Sequence, residues 1–192
     1  MKRIAQFEKV SRERFIKDWI RTFYSDRVNT DVNISIDWIS DLTQADEKLI
    51  DEIIAIYNGI KLPRRATMGS AGYDFFTPVG FSLKPGEMIL IPTGIRVRIE
   101  EGWVLKCYPR SGLGFKFRLQ LNNTVGIIDG DYYYSDNEGH IFCKLTNDGK
   151  EGKTVTLDKG AGFMQGIFVE YGITYDDDAA DIRNGGFGST SL

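Results

Sequence analysis

The feature that most constrains the fold is a series of short apolar or alternating segments that follow one another after Gly59. They read MILIP, IRVRI, WVLKCY, LQL, HIFCKL, TVTL and FMQGIFV, and glycine or proline turns such as KPGE, EEG and NDGKEGKT separate them. Half-buried strands have this length and alternation. Many short strands with turn signals and no long helix predict an all-β sandwich or barrel.

Two segments near the N-terminus have helical spacing instead. SRERFIKDWIRTFY and TQADEKLIDEIIAIYNG each place apolar residues on one face. These residues are Phe15, Ile16, Trp19, Ile20 and Phe23 in the first segment, and Leu49, Ile50, Ile53, Ile54 and Tyr57 in the second. Thr43 and Gly59 have the residue types of an N-cap and a C-cap for the second helix. The two stripes predict a helical hairpin, and VNISIDW between them predicts a short strand.

Composition bounds the partners and the location of the chain. The 192 residues carry a net charge of -3 and are 42% hydrophobic, which is typical of a soluble globular protein. This charge gives no electrostatic reason to bind long nucleic acid. The sequence contains no run of about 18 apolar residues, the length that a membrane-spanning helix needs. The segment MKRIAQFEKVSRERF also lacks the apolar h-region of a secretory signal. We therefore expect a cytoplasmic protein that binds neither nucleic acid nor membrane.

Histidine and cysteine are too few for several kinds of chemistry. His140 is the single histidine, which excludes a His-rich zinc site and an HExxH protease. It follows Gly139 at an expected hairpin end, and this position favours a structural or solvent-facing role. Cys107 and Cys143 lie in strand-like segments, so we expect buried free thiols.

Two further segments resemble catalytic motifs only in part. NDGKEGKT ends in Gly-Lys-Thr, but two residues separate Gly149 and Gly152 where a P-loop needs four, so a hairpin turn is expected. DEKLIDE places four carboxylates at helical spacing, which a magnesium site of an all-helical pyrophosphohydrolase would also show. The residues are Asp46, Glu47, Asp51 and Glu52. With only two helices predicted, a solvated helix face is the favoured interpretation.

Three further segments have residues of possible functional use, but the residues alone do not decide between a functional and a structural role. YPRSGLGFK brings a cation, a hydroxyl and glycine backbone N–H groups together after a strand that ends at Pro109, which suits phosphate or an ordinary glycine turn. NNTVGIIDGDYYY places Asp129 and Asp131 one residue apart in a turn. RNGGFGSTSL at the end of the chain is either a disordered tail or a flap over a ligand.

In chain order these pieces resemble the five motifs of the trimeric dUTPase family. The matching segments are GSAGYDFF, PRSGLG, VGIIDGDYYY with NEGHIFCKLTN, KGAGFMQGIF and RNGGFGSTS. The resemblance covers roughly Pro63 to Leu192, with RIAQFEKV as the first strand. It implies a distorted jelly-roll barrel with the helical hairpin inserted: residues 1–10 form the first strand, 11–58 the insertion, 59–182 the barrel and 183–192 a flexible arm.

The resemblance implies hydrolysis of dUTP to dUMP and pyrophosphate by a homotrimer with shared active sites. Such an activity limits uracil incorporation into DNA and supplies dUMP for dTMP synthesis. Asp129 matches the base that activates water for attack on the α-phosphorus. Mg²⁺ would be chelated by the triphosphate, and Asp74 would touch it through water.

The same resemblance assigns the substrate contacts. Arg110, Ser111, Gly112 and Gln165 would hold phosphates, while Asn123 and Gly126 belong to the segment that reads uracil. Tyr132 would pack on the deoxyribose and exclude a 2'-hydroxyl. In the arm, Phe187 would stack on uracil, and Arg183, Gly188, Ser189 and Thr190 would close over the γ-phosphate.

The chain departs from the usual family pattern in four places. The fourth motif reads Gly160-Ala161-Gly162 in place of Gly-Asp-Arg, and the third-motif hairpin is lengthened by YYSDNEG. The fifth motif is one residue short after Arg183. The helical insertion has no counterpart in the family's chemistry, so its stripes are expected to pack on the barrel or, alternatively, to bind a protein partner through residues 11–57.

Two other functions fit parts of this pattern. One is dCTP deaminase, which shares the fold but is disfavoured by the GGFGST arm and by the tyrosine after IDGD. The other is a regulatory protein that grips a partner with its helical insertion. Ammonia release from dCTP would identify the first.

Overall fold

The computed structural model describes residues 2–25, 44–181 and 183–184, without the side chains of residues 44–46. Three predictions fall outside these residues. They are the VNISIDW strand, the cap at Thr43, and the placement of Phe187, Gly188, Ser189 and Thr190 in the arm.

Twelve strands and three α-helices are formed by the described residues. The strands are β1 (Ala5–Lys9), β2 (Arg64–Arg65), β3 (Tyr73–Phe76), β4 (Phe81–Leu83), β5 (Met88–Pro92), β6 (Ile95–Ile99), β7 (Trp103–Pro109), β8 (Leu119–Leu121), β9 (Gly126–Ile128), β10 (Phe142–Asn147), β11 (Val155–Leu157) and β12 (Gly162–Glu170). The helices are α1 (Arg12–Phe23), α2 (Gln44–Asn58) and α3 (Ser111–Phe117), and a 3-10 helix spans Gly130–Tyr134.

The strands form antiparallel sheets that wrap one core. The largest has the order β2-β3-β12-β7-β9, and the others are β5-β10-β8, β1-β6 and β4-β11. This architecture confirms the all-β prediction. Near the N-terminus, β1 pairs with β6 along its whole length.

Two expected hairpins are not formed. β10 and β11 flank NDGKEGKT but lie in different sheets, so this segment is a connection between sheets. β9 and β10 likewise flank residues 129–141 without pairing, since β9 pairs with β7 and β10 pairs with β5 and β8. We call residues 129–141 the motif-3 connection. Turn residues alone do not reveal pairing partners, which are set by sheets that form over long sequence distances.

Alternation along the strands decides which side chains enter the core. In β6, Ile95, Val97 and Ile99 are buried, whereas Arg96 and Arg98 point outward. The outward arginines contact the neighbouring strand, where Arg96 donates to Glu8 and Arg98 to Gln6, both over 3.1 Å. A period of two thus separates the apolar core from a polar outer surface.

The two N-terminal helices join the same core as the sheets. Phe15, Trp19 and Ile20 of α1 are buried, and Ile53 of α2 is 1% exposed. α1 packs against both α2 and β5. The predicted apolar stripes therefore pack on the barrel, although Phe23 at the end of α1 stays 37% exposed.

The acidic face of α2 has the solvated character expected for it. Glu47, Asp51 and Glu52 are exposed. Among the residues that the structure describes, no group of three or more His, Cys, Asp or Glu side chains is placed to hold a metal ion. The described helices also include none long and apolar enough to span a membrane.

Both cysteines are buried and free, as predicted. Burial raises the pKa of Cys107 to about 12 and the pKa of Cys143 well above its ordinary value. Because a thiolate is the reactive form of cysteine, both thiols are held in an inert state.

Truncation of a buried aromatic residue in α1 tests whether this helix belongs to the core. We expect Phe15→Ala to lower the free energy of unfolding by about 3–5 kcal/mol, because its ring is fully buried. Glu52→Ala on the exposed face of α2 is the control, with an expected change within about 0.5 kcal/mol. Urea titration measures both. Equal losses for the two variants would show that α1 is only loosely attached.

Candidate active site

Two carboxylates and an arginine meet where β9 ends. Asp129 follows β9 directly and precedes the 3-10 helix that contains Asp131. Arg183 Nη2 donates to Asp129 Oδ2 over 2.5 Å, and its Nε lies 3.0 Å from Asp131 Oδ1. The Nε–H has no partner at hydrogen-bond geometry, so the contact with Asp131 is mainly Coulombic. One guanidinium thus serves both carboxylates.

This ion-pair cluster is open to solvent. The side chains of Arg183, Asp129 and Asp131 are 26%, 42% and 56% exposed. Exposed ion pairs contribute about 0–1 kcal/mol, because water screens them and the side chains lose freedom. A phosphate group can therefore replace either carboxylate as the partner of Arg183 at small cost.

Tyr132 lies in the same turn with its hydroxyl directed inward. It is 6% exposed, and its Oη donates to the carbonyl oxygen of His140 and accepts from Asn137 Nδ2, both over 2.7 Å. Burial raises the pKa of Tyr132, which keeps the phenol protonated. The Arg183 guanidinium carbon is 6.0 Å from the centre of the Tyr132 ring. The ring therefore borders the carboxylate cluster while its polar end is anchored elsewhere.

The second motif forms a helix start at the end of β7. Arg110 is the N-cap residue of α3, and Ser111 and Gly112 are its first two residues. The first N–H groups of a helix have no intrahelical partners and point outward. Ser111 and Gly112 are both exposed, so their backbone N–H groups and the Ser111 hydroxyl are accessible to an anion.

Asp74 and Gln165 flank this helix start. Asp74 Oδ1 lies 3.3 Å from Arg110 Nε, and Asp74 is opposite Gln165 in the β3–β12 pair. Gln165 is also opposite Tyr108 in β7. Cross-strand partners share one face of a sheet. Three of the predicted residues, Asp74, Arg110 and Gln165, are therefore brought together.

The altered fourth motif has a local explanation at Gly162. A Cβ atom at Gly162 would lie 2.6 Å from Arg110 Nη1. The Arg110 side chain therefore occupies the space in which a side chain at position 162 would begin. A side chain at position 162 would therefore displace the flexible end of the Arg110 side chain.

The two groups of site residues lie at opposite ends of β7. Ile128 pairs with Leu105, so Asp129 lies beyond Leu105, whereas Arg110 follows the other end of the strand. At about 3.3 Å per residue, the groups are separated by roughly 15–20 Å along β7. Gly126 pairs with Cys107 between them, and Asn123 is exposed in the turn before β9. A single chain does not bring Asp129 to the second motif.

Sequence reasoning missed the residues that anchor Tyr132. His140 is fully buried, so the structural interpretation is confirmed and the solvent-facing alternative is wrong. Its Nδ1 lies 2.7 Å from Asp18 Oδ2 in α1, 122 residues earlier. No local pattern in the sequence marks a contact over this distance.

Comparison with known proteins decides the family. The family model for dUTPases matches residues 58–191. The chain belongs to the dUTPase family. The deoxyuridine 5'-triphosphate nucleotidohydrolase of Lactococcus lactis subsp. lactis is 42% identical over 144 residues, which covers 72% of this chain and 95% of that protein. The protein of the same name from Shewanella piezotolerans is 36% identical over 154 residues, covering 76% and 95%.

Solved structures of dUTPases share the fold. The dUTPase from Streptococcus mutans is 38% identical with a TM-score of 0.52, covering 59% of this chain and 88% of that chain. A variant of the dUTPase from phage phi11 of S. aureus, with a structural Mg(II) ion, is 22% identical with a TM-score of 0.51. It covers 64% of this chain and 91% of that chain. Residues 11–57 and the altered motifs are the departures of this chain from the usual family pattern.

Glycine substitution tests how tightly the motif-3 connection is packed. A Cβ atom at Gly139 would lie 2.7 Å from Tyr133 Cα and 2.8 Å from the Tyr132 carbonyl oxygen, and the residue has φ +68°. Gly152 has a similar φ of +72° and nothing within 4 Å of such an atom. We expect Gly152→Ala to cost about 1–2 kcal/mol of stability, the price of a left-handed backbone conformation.

Gly139→Ala should lower stability by clearly more, because the backbone beside Tyr132 must also move. The free energy of unfolding in urea measures the two variants side by side. If they lose the same amount, the connection is not packed as tightly as the structure indicates.

Proposed function

We propose that this dUTPase-family chain hydrolyses dUTP to dUMP and pyrophosphate by attack of water on the α-phosphorus. The observation that carries the proposal is the placement of Asp129. Its carboxylate is 42% exposed at the end of β9, beside an arginine whose pairing with it is weak enough to exchange. A general base needs such access to a water molecule.

Asp129 accepts a proton from the attacking water as the new oxygen–phosphorus bond forms. The bond between the α-phosphorus and the α–β bridging oxygen breaks, and pyrophosphate leaves with the bonding electrons. Displacement at phosphorus needs the attacking and leaving oxygens roughly in line, so catalysis consists mainly of positioning and charge stabilisation.

The second motif would bind the phosphates. The Arg110 guanidinium and the outward N–H groups of Ser111 and Gly112 suit phosphate oxygens, and the Ser111 hydroxyl would lie near the leaving bridging oxygen. Gln165 would add a further phosphate contact from β12. The pairing of Arg110 with Asp74 would orient the guanidinium before substrate binds.

Tyr132, Asn123 and Gly126 would recognise the nucleoside. Asn123 is exposed in a turn, and the backbone from there to Gly126 can offer donors and acceptors to the edge of uracil. The Tyr132 ring would pack against the deoxyribose. Because its hydroxyl is fixed by His140 and Asn137, the ring has no room to withdraw from a 2'-hydroxyl.

Mg²⁺ fits the donor set that the chain presents. Mg²⁺ prefers oxygen ligands and usually binds through one or two carboxylates together with substrate phosphates and waters. Asp74 is the carboxylate beside the phosphate-binding Arg110, which suits contact through water. When bound, the ion would neutralise charge on the triphosphate.

A homotrimer would bring the two groups of site residues together. The separation of Asp129 from Arg110 along β7 supports a site that a second chain completes. Large apolar side chains also stay exposed in the isolated chain, including Phe115, Tyr134, Ile173 and Tyr175. Side chains of this size would be available to pack against another chain in such an assembly.

The arm would close over the bound nucleotide. Arg183 would exchange Asp129 for the γ-phosphate, while Phe187 stacks on uracil and Gly188, Ser189 and Thr190 wrap the phosphates. A cytoplasmic location, the role of residues 11–58 as an insertion on a barrel of residues 59–182, and a protein partner for residues 11–57 remain predictions.

Substitution of the proposed base tests the mechanism. We expect Asp129→Asn to lower turnover of dUTP by about a thousandfold or more while dUTP still binds, because the amide cannot accept the proton. Asp131→Asn is the matched control, since it removes a neighbouring carboxylate that also faces Arg183, and it should retain most of the turnover. Pyrophosphate release and calorimetric dUTP binding measure the two effects. Full activity of Asp129→Asn would exclude this residue as the base.

A substrate panel tests the assignment of the reaction. Pyrophosphate release should be fastest with dUTP and much slower with UTP, dTTP and dCTP, and removal of divalent metal with EDTA should abolish it until Mg²⁺ is restored. Heat-denatured protein is the control for background hydrolysis. Ammonia release from dCTP would contradict the proposal and indicate a deaminase.

A further inference from the structure

The N-terminus of α1 binds the motif-3 connection. Ser11 donates to the Glu138 carboxylate twice, from its backbone N–H over 2.7 Å and from Oγ over 2.6 Å. Arg14 Nη2 donates to the carbonyl oxygen of Asp136 over 2.7 Å. Contacts to a charged group are stronger than neutral hydrogen bonds. The helical insertion therefore fastens the segment by which this chain's third motif is lengthened.

A buried pair fixes the end of this connection. Asp18 of α1 is 5% exposed and His140 is fully buried, with 2.7 Å between Asp18 Oδ2 and His140 Nδ1. The Gly94 N–H donates to His140 Nε2 over 2.8 Å. Nε2 is therefore an acceptor without a proton, and Nδ1 is the nitrogen that donates to Asp18. Arg14 Nη1, 3.5 Å from Asp18 Oδ1, balances the buried carboxylate.

His140 in turn holds Tyr132. The Tyr132 hydroxyl donates to the His140 carbonyl oxygen, and Asn137 Nδ2 donates to the same hydroxyl. Asn137 is itself oriented by Ser135, whose Oγ lies 2.7 Å from Asn137 Oδ1. Leaving a buried hydroxyl without a partner costs about 1–3 kcal/mol, so the ring follows the carbonyl that it binds. Asp18 in the insertion is thus connected to the Tyr132 ring by two contacts, the first with the His140 side chain and the second from the His140 carbonyl oxygen to the Tyr132 hydroxyl.

The connection has little freedom to absorb a shift. Gly139, directly before His140, has φ +68° and lies against the backbone of Tyr132 and Tyr133. Close-packed segments transmit displacement because no void can take it up. A movement of His140 therefore moves the ring of Tyr132.

We propose that Asp18 and His140 are positioning residues through which the helical insertion sets how strictly Tyr132 distinguishes a deoxyribose from a ribose triphosphate. The proposal rests on the proposed function, in which the Tyr132 ring packs on the sugar. Without its anchor the ring can withdraw, and the space released admits a 2'-hydroxyl. Neither residue contacts the reacting atoms.

Removal of the Asp18 carboxylate tests the proposal in the full-length protein. We expect Asp18→Ala to lower the ratio of kcat/KM for dUTP to kcat/KM for UTP by about tenfold, with kcat for dUTP changed much less. Asp18→Asn should restore the ratio, because its amide oxygen still accepts from Nδ1–H. Ile20→Val is the control, since it weakens the packing of a buried side chain of α1 and leaves the Asp18 carboxylate in place.

The outcomes separate positioning from general loss of stability. Each variant is assayed at the same interval below its own Tm. A lower ratio of kcat/KM for dUTP to kcat/KM for UTP in Asp18→Ala, but not in Ile20→Val, supports the proposal. An unchanged ratio in Asp18→Ala, or an equal loss in Ile20→Val, overturns it. If Asp18→Ala does not fold, Asp18→Leu replaces it, since leucine has a similar volume and also removes the acceptor of the His140 Nδ1–H. An unchanged ratio in that variant would also overturn the proposal.

A second measurement is independent of activity. The nine tyrosines can be labelled with 3-fluorotyrosine, and the Tyr132 signal can be assigned with Tyr132→Phe. We expect its ¹⁹F resonance to shift or broaden in Asp18→Ala and to stay unchanged in Ile20→Val. If the wild-type protein releases no pyrophosphate from dUTP, the proposed function fails, but such a shift still supports positioning. An unchanged resonance overturns the positioning proposal even in an active enzyme.

Discussion

The antiparallel pairing of β7 with β12 is the constraint on which the rest of the structure depends. β12 pairs with β7 from Met164 to Glu170 and with β3 on its other side. This ladder places Gln165 opposite Asp74 and brings the end of β7, with Arg110, beside them. On its outer edge β7 pairs with β9, which carries Asp129 to the far end. The pairing of β7 thus sets which residues of the proposed phosphate-binding group lie together and how far they are from the proposed base.

That distance supports the proposed assembly. Short loops could bring two groups of one chain together, but a paired strand of seven residues is a rigid spacer. In the homotrimer that we propose, another chain completes the site. The exposed apolar side chains, such as Phe115 and Ile173, are available for contacts in the proposed assembly.

The sequence was sufficient for the fold class, but not for the arrangement of the predicted site residues. Period-two alternation in IRVRI predicted the inward face of β6, and period-four spacing predicted the buried face of α1. The hairpins expected at NDGKEGKT and after β9 were wrong, because turn residues indicate a reversal but not the strands that pair across it. The contact of His140 with Asp18 joins positions 122 apart, and the buried polar partners of a lone histidine leave no periodic signal.

The two largest departures from the family pattern explain each other. The helical insertion contributes Ser11, Arg14 and Asp18, and the lengthened connection contributes Glu138, Asp136 and His140 as their partners. Each departure alone would leave charged or buried polar groups without partners, which costs far more than the paired arrangement. A buried pair adds little net stability but specifies one geometry. The Asp18–His140 pair specifies the geometry of the motif-3 connection, which begins at the proposed base. The insertion therefore acts on the proposed site through this connection, although none of its described side chains reaches Asp129.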